Sequence, residues 1–248
     1  MHKLLPTLCL AGGLLLSGCG EATDTDDPDE NSNPLKVQHA LGVTKVPGRA
    51  ERPATLYPSE LDSALALGSR PVATTGPVPR YLRAGDIETV GTTAQPDLTT
   101  LEAADPDVIL ASNPTHKRLY RRLRRIAPTV VLTEGIEWKA NFRQDGEALG
   151  WADRAERMLT RYDRLAARVR ALARTREPPE LPPQAQRSLR RPFIADVLDD
   201  AGIEHPRSGS DRVPGARPGP RDQWTLGEGY LAATAVLRDL EGLLGAGG

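Results

Sequence analysis

The sequence predicts an α/β fold: an N-terminal lobe with a parallel sheet and flanking helices, one long bridging helix, and a shortened C-terminal lobe, mostly helical or irregular. Three observations carry this expectation. From Leu35 to Arg176, short apolar runs alternate with helical patterns, the rhythm of a parallel sheet. In "DPDVILAS" the residues Val108, Ile109 and Leu110 follow one another, apolar on both faces, as a strand inside a covered sheet requires. "WADRAERMLTRYDRLAARVRALARTR" is one unbroken charged amphipathic helix, and the proline-rich "EPPELPPQ" after it ends the alternation.

The elements follow in order. "RPATLYP" reads as a strand, and "SELDSALALG" as a helix with Leu61 and Leu65 on one side and Gly68 as its stop. "RPVATT" and "DIETVG" are short strands, the second leading into a loop at Thr92 and Thr93. "PDLTTLEAA" starts a helix with Pro96 near its first turn. "HKRLYRRLRRIAP" is a helix with Leu119, Leu123 and Ile126 on one face, "PTVVLTE" a strand, and "FRQDGEALG" a helix. Beyond Arg176 the proline-rich break should be loop. "RPFIADVLDDAG" is a helix ended by Gly202, and "GEGYLAATAVLRDLEGLLG" is a closing helix, against which Trp224 should pack. No strand is legible past Arg176.

The N-terminus has its own logic. His2 and Lys3 precede an apolar run from Leu4 to Leu16, about 13 residues, the length of a signal-peptide core and too short to cross a bilayer. Leu16-Ser17-Gly18-Cys19 ends that run and resembles the lipobox of bacterial lipoproteins, which makes Cys19 a lipidation site. The acid-rich segment after it is too poor in apolar residues to fold and reads as a hydrated spacer. The expected organisation is residues 1–19 signal segment with the lipobox cysteine, 20–36 disordered acidic linker, 37–150 N-terminal lobe, 151–176 bridging helix and 177–248 incomplete C-terminal lobe.

Composition narrows the function. Lys plus Arg number 32 against 33 Asp plus Glu, so no net charge calls for nucleic acid. Aromatic residues are 4% of the chain, which leaves the core to Leu, Val and Ala. No Gly-x-Ser-x-Gly elbow or phosphate-binding glycine loop occurs, and Cys9 leaves with the signal segment, so nothing points to an enzyme. The histidines at 2, 39, 116 and 205 lack metal-ligand spacing, so no protein-bound metal or other cofactor is expected.

"HALGVTKVPGRAERPATLYPSELDSALALGSRPV", "VPRYL", "IETVGTTAQPDLTTLEAADPDVILAS", "YRRLRRIAPTVVL" and "EWKANF" together resemble the iron-siderophore family of ABC-transporter substrate-binding proteins, whose two lobes are bridged by a long helix. "GEGYLAATAVLRDLEGLL" is similar to the family's last helix. The resemblance implies an extracytoplasmic solute-binding protein, anchored to the bacterial cell membrane by N-terminal lipid. It would be a monomer that delivers a ferric siderophore or related iron chelate to ABC permease subunits. The iron would arrive inside its chelator.

By position on the loops of that family, the resemblance implies ligand contacts from Arg80, Tyr81, Thr92, Thr93, His116, Lys117, Trp138 and Lys139. For several of these a plainer reading stands alongside. His116 also suits an exposed helix N-terminus, and the basic residues from Lys117 to Arg125 suit a solvated helix face. The glutamate that relatives use to dock on the permease is matched here by Thr99, with Asp97 and Glu102 nearby. Segments of the second lobe are missing between Arg176 and Phe193 and between Asp211 and Trp224. These departures fit a second reading, a non-transport surface lipoprotein that keeps the first lobe as a scaffold. For the anchor, Cys19→Ala is expected to abolish labelling of the chain by a fatty-acid analogue in cells; labelling that persists would refute the lipobox.

Overall fold

The structure, a computed structural model, describes residues 33–134, 137–177, 179–181, 183–189, 191–205 and 229–246. The expected signal segment, Cys19, the spacer up to residue 32 and Trp224 lie outside these residues. Strands β1 (Leu35–His39) and β2 (Gly42–Val46) make an antiparallel hairpin, with Leu35 opposite Val46 and His39 opposite Gly42. β1 therefore begins two residues inside the segment expected as linker. Period-two alternation is the reason: Val37, His39, Thr44 and Val46 are buried while their neighbours face solvent.

The main sheet is built from β3 (Pro53–Thr55), β4 (Ala73–Thr74), β5 (Glu88–Thr89), β6 (Val108–Asn113) and β7 (Thr129–Thr133). They are parallel and run in the order β5-β4-β3-β6-β7. The hairpin lies along β7. Ala40 N–H donates to the Val131 carbonyl at 3.0 Å, and the Thr44 hydroxyl donates to the Thr129 carbonyl at 2.9 Å. An edge strand with unpaired amides is thereby covered.

Helices α1 (Pro58–Ala66), α2 (Leu98–Ala103), α3 (Tyr120–Ile126), α4 (Trp138–Leu149), α5 (Ala152–Ala173), α6 (Pro183–Ser188), α7 (Pro192–Ala201) and α8 (Tyr230–Ala246) surround the sheet. Alternation along β6 shows how. Ile109 and Ala111 pack with Leu101 of α2 and Leu123 of α3, while Val108 and Leu110 face the opposite cluster, which includes α4, α5, α7 and α8. Both faces are covered, which is why the strand reads as continuously apolar. α3 starts at Tyr120, because residues 116–119 form turns. α4 starts at Trp138, four residues before Phe142, since the two rings share one buried face at helical spacing. A short helix, α6, occupies part of the expected proline-rich loop, its Pro183 standing at the first position that tolerates proline.

The 22-residue α5 buries Ala155, Leu159, Tyr162, Ala166 and Val169 on one stripe and exposes arginines elsewhere. Against that stripe sit Ile194, Val197 and Leu198 of α7 and Val236, Leu237 and Leu240 of α8, all in one cluster with the sheet's β6 face. Among the described residues after Arg176 there is no strand, and these helices complete the core of the first lobe rather than enclosing one of their own.

Gly150 joins α4 to α5 with φ +74°, and a Cβ there would lie 2.0 Å from the Gly48 carbonyl oxygen. Gly150→Ala combines left-handed strain with a backbone clash, and is expected to cost roughly 2 kcal/mol or more. Urea unfolding should show a lower midpoint; an unchanged midpoint would mean that Gly48 yields freely.

Candidate functional site

In a parallel sheet every strand ends on the same edge, and the loops leaving that edge spread apart where the strand order reverses. Here β4 and β5 lie to one side of β3 while β6 and β7 lie to the other, so the reversal falls between β3 and β6. A cavity of about 570 Å³ opens there. Tyr57 and Ser59 follow β3, and Ser112 stands near the end of β6. Glu134 and Glu137 follow β7, with Trp138 and Asn141 from the first turn of α4. Arg191, Phe193 and Asp196, at the start of α7, close the other side.

Behind its two serines lies a buried carboxylate. Glu60 is fully buried and accepts the Ser112 hydroxyl at 2.5 Å and the Ser59 hydroxyl at 2.9 Å. Two more buried acids share its surroundings. Asp62, next but one on α1, accepts the amides of Leu231 (2.7 Å) and Ala232 (3.1 Å) at the start of α8, and the Tyr81 hydroxyl at 3.1 Å. Burial outweighs these three donors and raises its carboxyl from the ordinary 3.8 to about 6. Burial and then the Glu60 charge push Asp145 of α4 well above the usual carboxylate range, with Asp62 adding to the push and Ser63 offsetting only part of it.

The structure brings the expected loops to this edge but gives their side chains other tasks. His116 is fully buried, neither ligand-facing nor an exposed helix start. Its Nδ1 accepts the Ser112 amide at 3.0 Å, which leaves the proton on Nε2 to donate to the Thr93 carbonyl at 2.7 Å. Burial lowers its pKa, so the ring stays neutral and fastens the loop after β5 to the turn after β6. Thr93 also meets the Thr75 hydroxyl at 3.4 Å, and Thr92 closes its own turn through the Gln95 amide at 3.1 Å. Tyr81 holds Asp62 and packs against the core, beside an exposed Arg80 in a 3₁₀ turn. Lys117 is exposed and lines a separate hollow with Pro114 and Tyr120. Lys139 is bridged to Asp200 at 2.9 Å and Asp163 at 3.3 Å; these keep it protonated although burial opposes the charge. Of the eight, Trp138 lines the cavity, its ring edge-on to Tyr162 and Phe193.

Three lining residues that sequence reading passed over had a usable signal. Tyr57, Ser112 and Glu134 close the runs "RPATLY", "DVILAS" and "TVVLTE", where strands hand over to loops. Arg191, Phe193 and Asp196 had none, because only the packing of α7 brings them to the sheet. Asp97, considered as a docking acid, caps α2 instead, taking the Thr99 and Thr100 amides and the Thr100 hydroxyl. No group of three or more His, Cys, Asp or Glu among the described residues is placed to hold a metal ion.

Comparison with known proteins agrees with this architecture. A family model described as periplasmic binding protein matches residues 54–214. The achromobactin-binding periplasmic protein of Dickeya dadantii is 30% identical over 176 residues, 68% of this chain and 53% of that protein. A Bacillus subtilis protein named "Probable siderophore-binding lipoprotein YfiY" is 25% identical over 174 residues, 66% of this chain and 53% of its own length. The chain thus spans about half the length of these curated relatives. The crystal structure of Staphylococcus aureus SirA complexed with staphyloferrin B superposes with a TM-score of 0.68 at 21% identity, covering 85% of this chain and 98% of that one. At this identity the likeness shows the fold.

The buried acids predict a pH dependence. A carboxyl whose folded pKa lies above its unfolded value takes up a proton on folding, so its favourable contribution is fullest in acid and fades as pH climbs from about 4 through about 6. For Asp62 the change is worth roughly 3 kcal/mol. Asp145→Asn removes a second buried acid whose carboxyl is pushed up, so the stability of the variant relative to the native chain should rise between pH 4 and pH 7.5. Urea unfolding at the two pH values checks this, and a constant difference would refute the buried charge.

Proposed function

The chain belongs to the periplasmic binding protein family, and from that premise we propose that it captures a ferric siderophore, or a related iron chelate, in the cleft at the carboxyl edge and delivers it to the permease of an ABC importer. The family is one of binding proteins rather than enzymes. The observation that carries the reading is the position of the cavity. It lies at the reversal of strand order, between the sheet and α7, and its volume falls within the roughly 300–1,000 Å³ of small-ligand sites. The names of the Dickeya and Bacillus relatives support an iron chelate as the ligand class.

Iron enters this scheme as cargo, wrapped by its chelator. The protein's part is to surround the complex with oriented polar groups and the aromatic rings of Tyr57, Trp138 and Phe193. The lipobox at Cys19 supports a tether that keeps the binding lobe close to the permease, with the acidic stretch after it as spacer.

A tryptophan-fluorescence titration tests the reading, using the full chain, circular dichroism to establish the fold, and a panel of ferric hydroxamates and catecholates with haem as control. Saturable quenching by a ferric chelate is expected, and Trp138→Phe should remove much of the signal and weaken binding. A folded chain that binds none of the panel would sink the importer reading in favour of a scaffold lipoprotein.

A further inference from the structure

The hydrogens on the walls of the cleft are largely committed to the protein itself. Ser59 and Ser112 have one hydroxyl hydrogen each, and both donate to Glu60, so a ligand meets their lone pairs. Asn141 donates an amide hydrogen to the Thr133 carbonyl at 3.3 Å, while its side-chain oxygen has no partner among the described residues. Glu134, Glu137 and Asp196 line the same cavity against one guanidinium, that of Arg191. Lys139, on the same turn of α4 as Trp138, is engaged by Asp163 and Asp200. Burial first, then the charges of Asp200, Glu137 and Asp199, push the Asp196 carboxyl up, and the Lys139 ammonium offsets only part of this. The Trp138 indole N–H, on a side chain 5% exposed, has no partner among the described residues.

A wall rich in acceptors and carboxylates suits a ligand that brings donors and positive charge, and repels one that brings more carboxylates. We propose that the cleft selects an iron chelate bearing a protonated amine, neutral or cationic overall, over a polycarboxylate chelate, with Glu137 and Asp196 receiving the ammonium. The inference rests on the function proposed above and narrows its ligand class.

The test varies charge on one iron scaffold. Ferrioxamine B, a ferric trishydroxamate with a free ammonium, is compared with its N-acetylated and N-succinylated forms, which place zero and negative charge at the same end, and with ferric dicitrate. Titrations use the full chain, with circular dichroism as the control for folding. The ammonium form should bind at least about tenfold tighter than the acetylated one, and the two anionic chelates more weakly still. In the Glu137→Gln, Asp196→Asn double variant, the preference for ammonium over acetyl should fall to within about threefold. Equal affinities across the series, or ferric dicitrate bound most tightly, would overturn this inference and leave chelate binding intact. Absence of saturable binding to all four by a folded chain would overturn the binding function and the inference with it.

Discussion

The carboxyl group of Asp62 is the point from which this structure hangs together. It sits on α1, fully buried, and caps the first amides of α8 across 169 and 170 residues of chain. It also takes the hydroxyl of Tyr81, so the turn after β4, the first helix of the sheet domain and the last helix of the chain meet at one acid. A helix start offers unpaired amides and partial positive charge, which is what a buried carboxylate needs. The approach is close enough to specify its neighbour. A Cβ on Gly229 would stand 2.6 Å from the Asp62 carboxyl, so the residue just before α8 is glycine.

What that bond secures is large. α8 places Val236, Leu237 and Leu240 in the main cluster with no solvent exposure, and each such side chain contributes roughly 1.5–3 kcal/mol on burial. That sum is comparable with the whole stability of an ordinary domain. Phe142 of α4 stacks on Tyr230 at 4.9 Å, and α5 packs against α4, α7 and α8 together. With no described strand after Arg176, the helices there are held by the hydrophobic face of the first sheet and by this cap. Asp145 and Glu60 sit in the same buried neighbourhood, so the electrostatic balance of the core and the serines of the cleft are physically one problem.

The cleft depends on that arrangement in turn. Loops leaving five parallel strands would be mobile without ties, and short bonds between them supply the ties. Thr75 donates to the Leu56 carbonyl at 2.7 Å, Thr93 leans on Thr75, and neutral His116 clamps Thr93 to Ser112. Glu60 then draws in Ser112 and Ser59, completing a chain of polar contacts under the cavity. Residues that a loop position makes attractive as ligand contacts are here the fabric of the edge. The surface left for a ligand combines hydroxyl and amide groups, three carboxylates, the Arg191 guanidinium and the rings of Tyr57, Trp138 and Phe193.

The sequence by itself determined the parallel sheet, the long α5 and the ends of most helices, because those depend on local periodicity: β6 apolar throughout, the α5 stripe at helical spacing, Gly202 as a stop. The hairpin was not read from the sequence, although Val37, His39, Thr44 and Val46 alternate with exposed neighbours, because its start lies in a stretch that composition assigned to the linker. Site positions were legible only as far as the carboxyl edge, since topology alone sends Thr93, His116 and Trp138 there. Tertiary structure decided everything that depends on which surfaces meet. His116 became a buried clamp because two backbone groups met its ring; Lys139 was neutralised by acids from α5 and α7; Arg191, Phe193 and Asp196 became a cleft wall because α7 packs on α5. The union of Asp62 with α8 lies furthest beyond any sequence window, because an acid and an amide pair so far apart along the chain share no local pattern and are joined only when the core between them has closed.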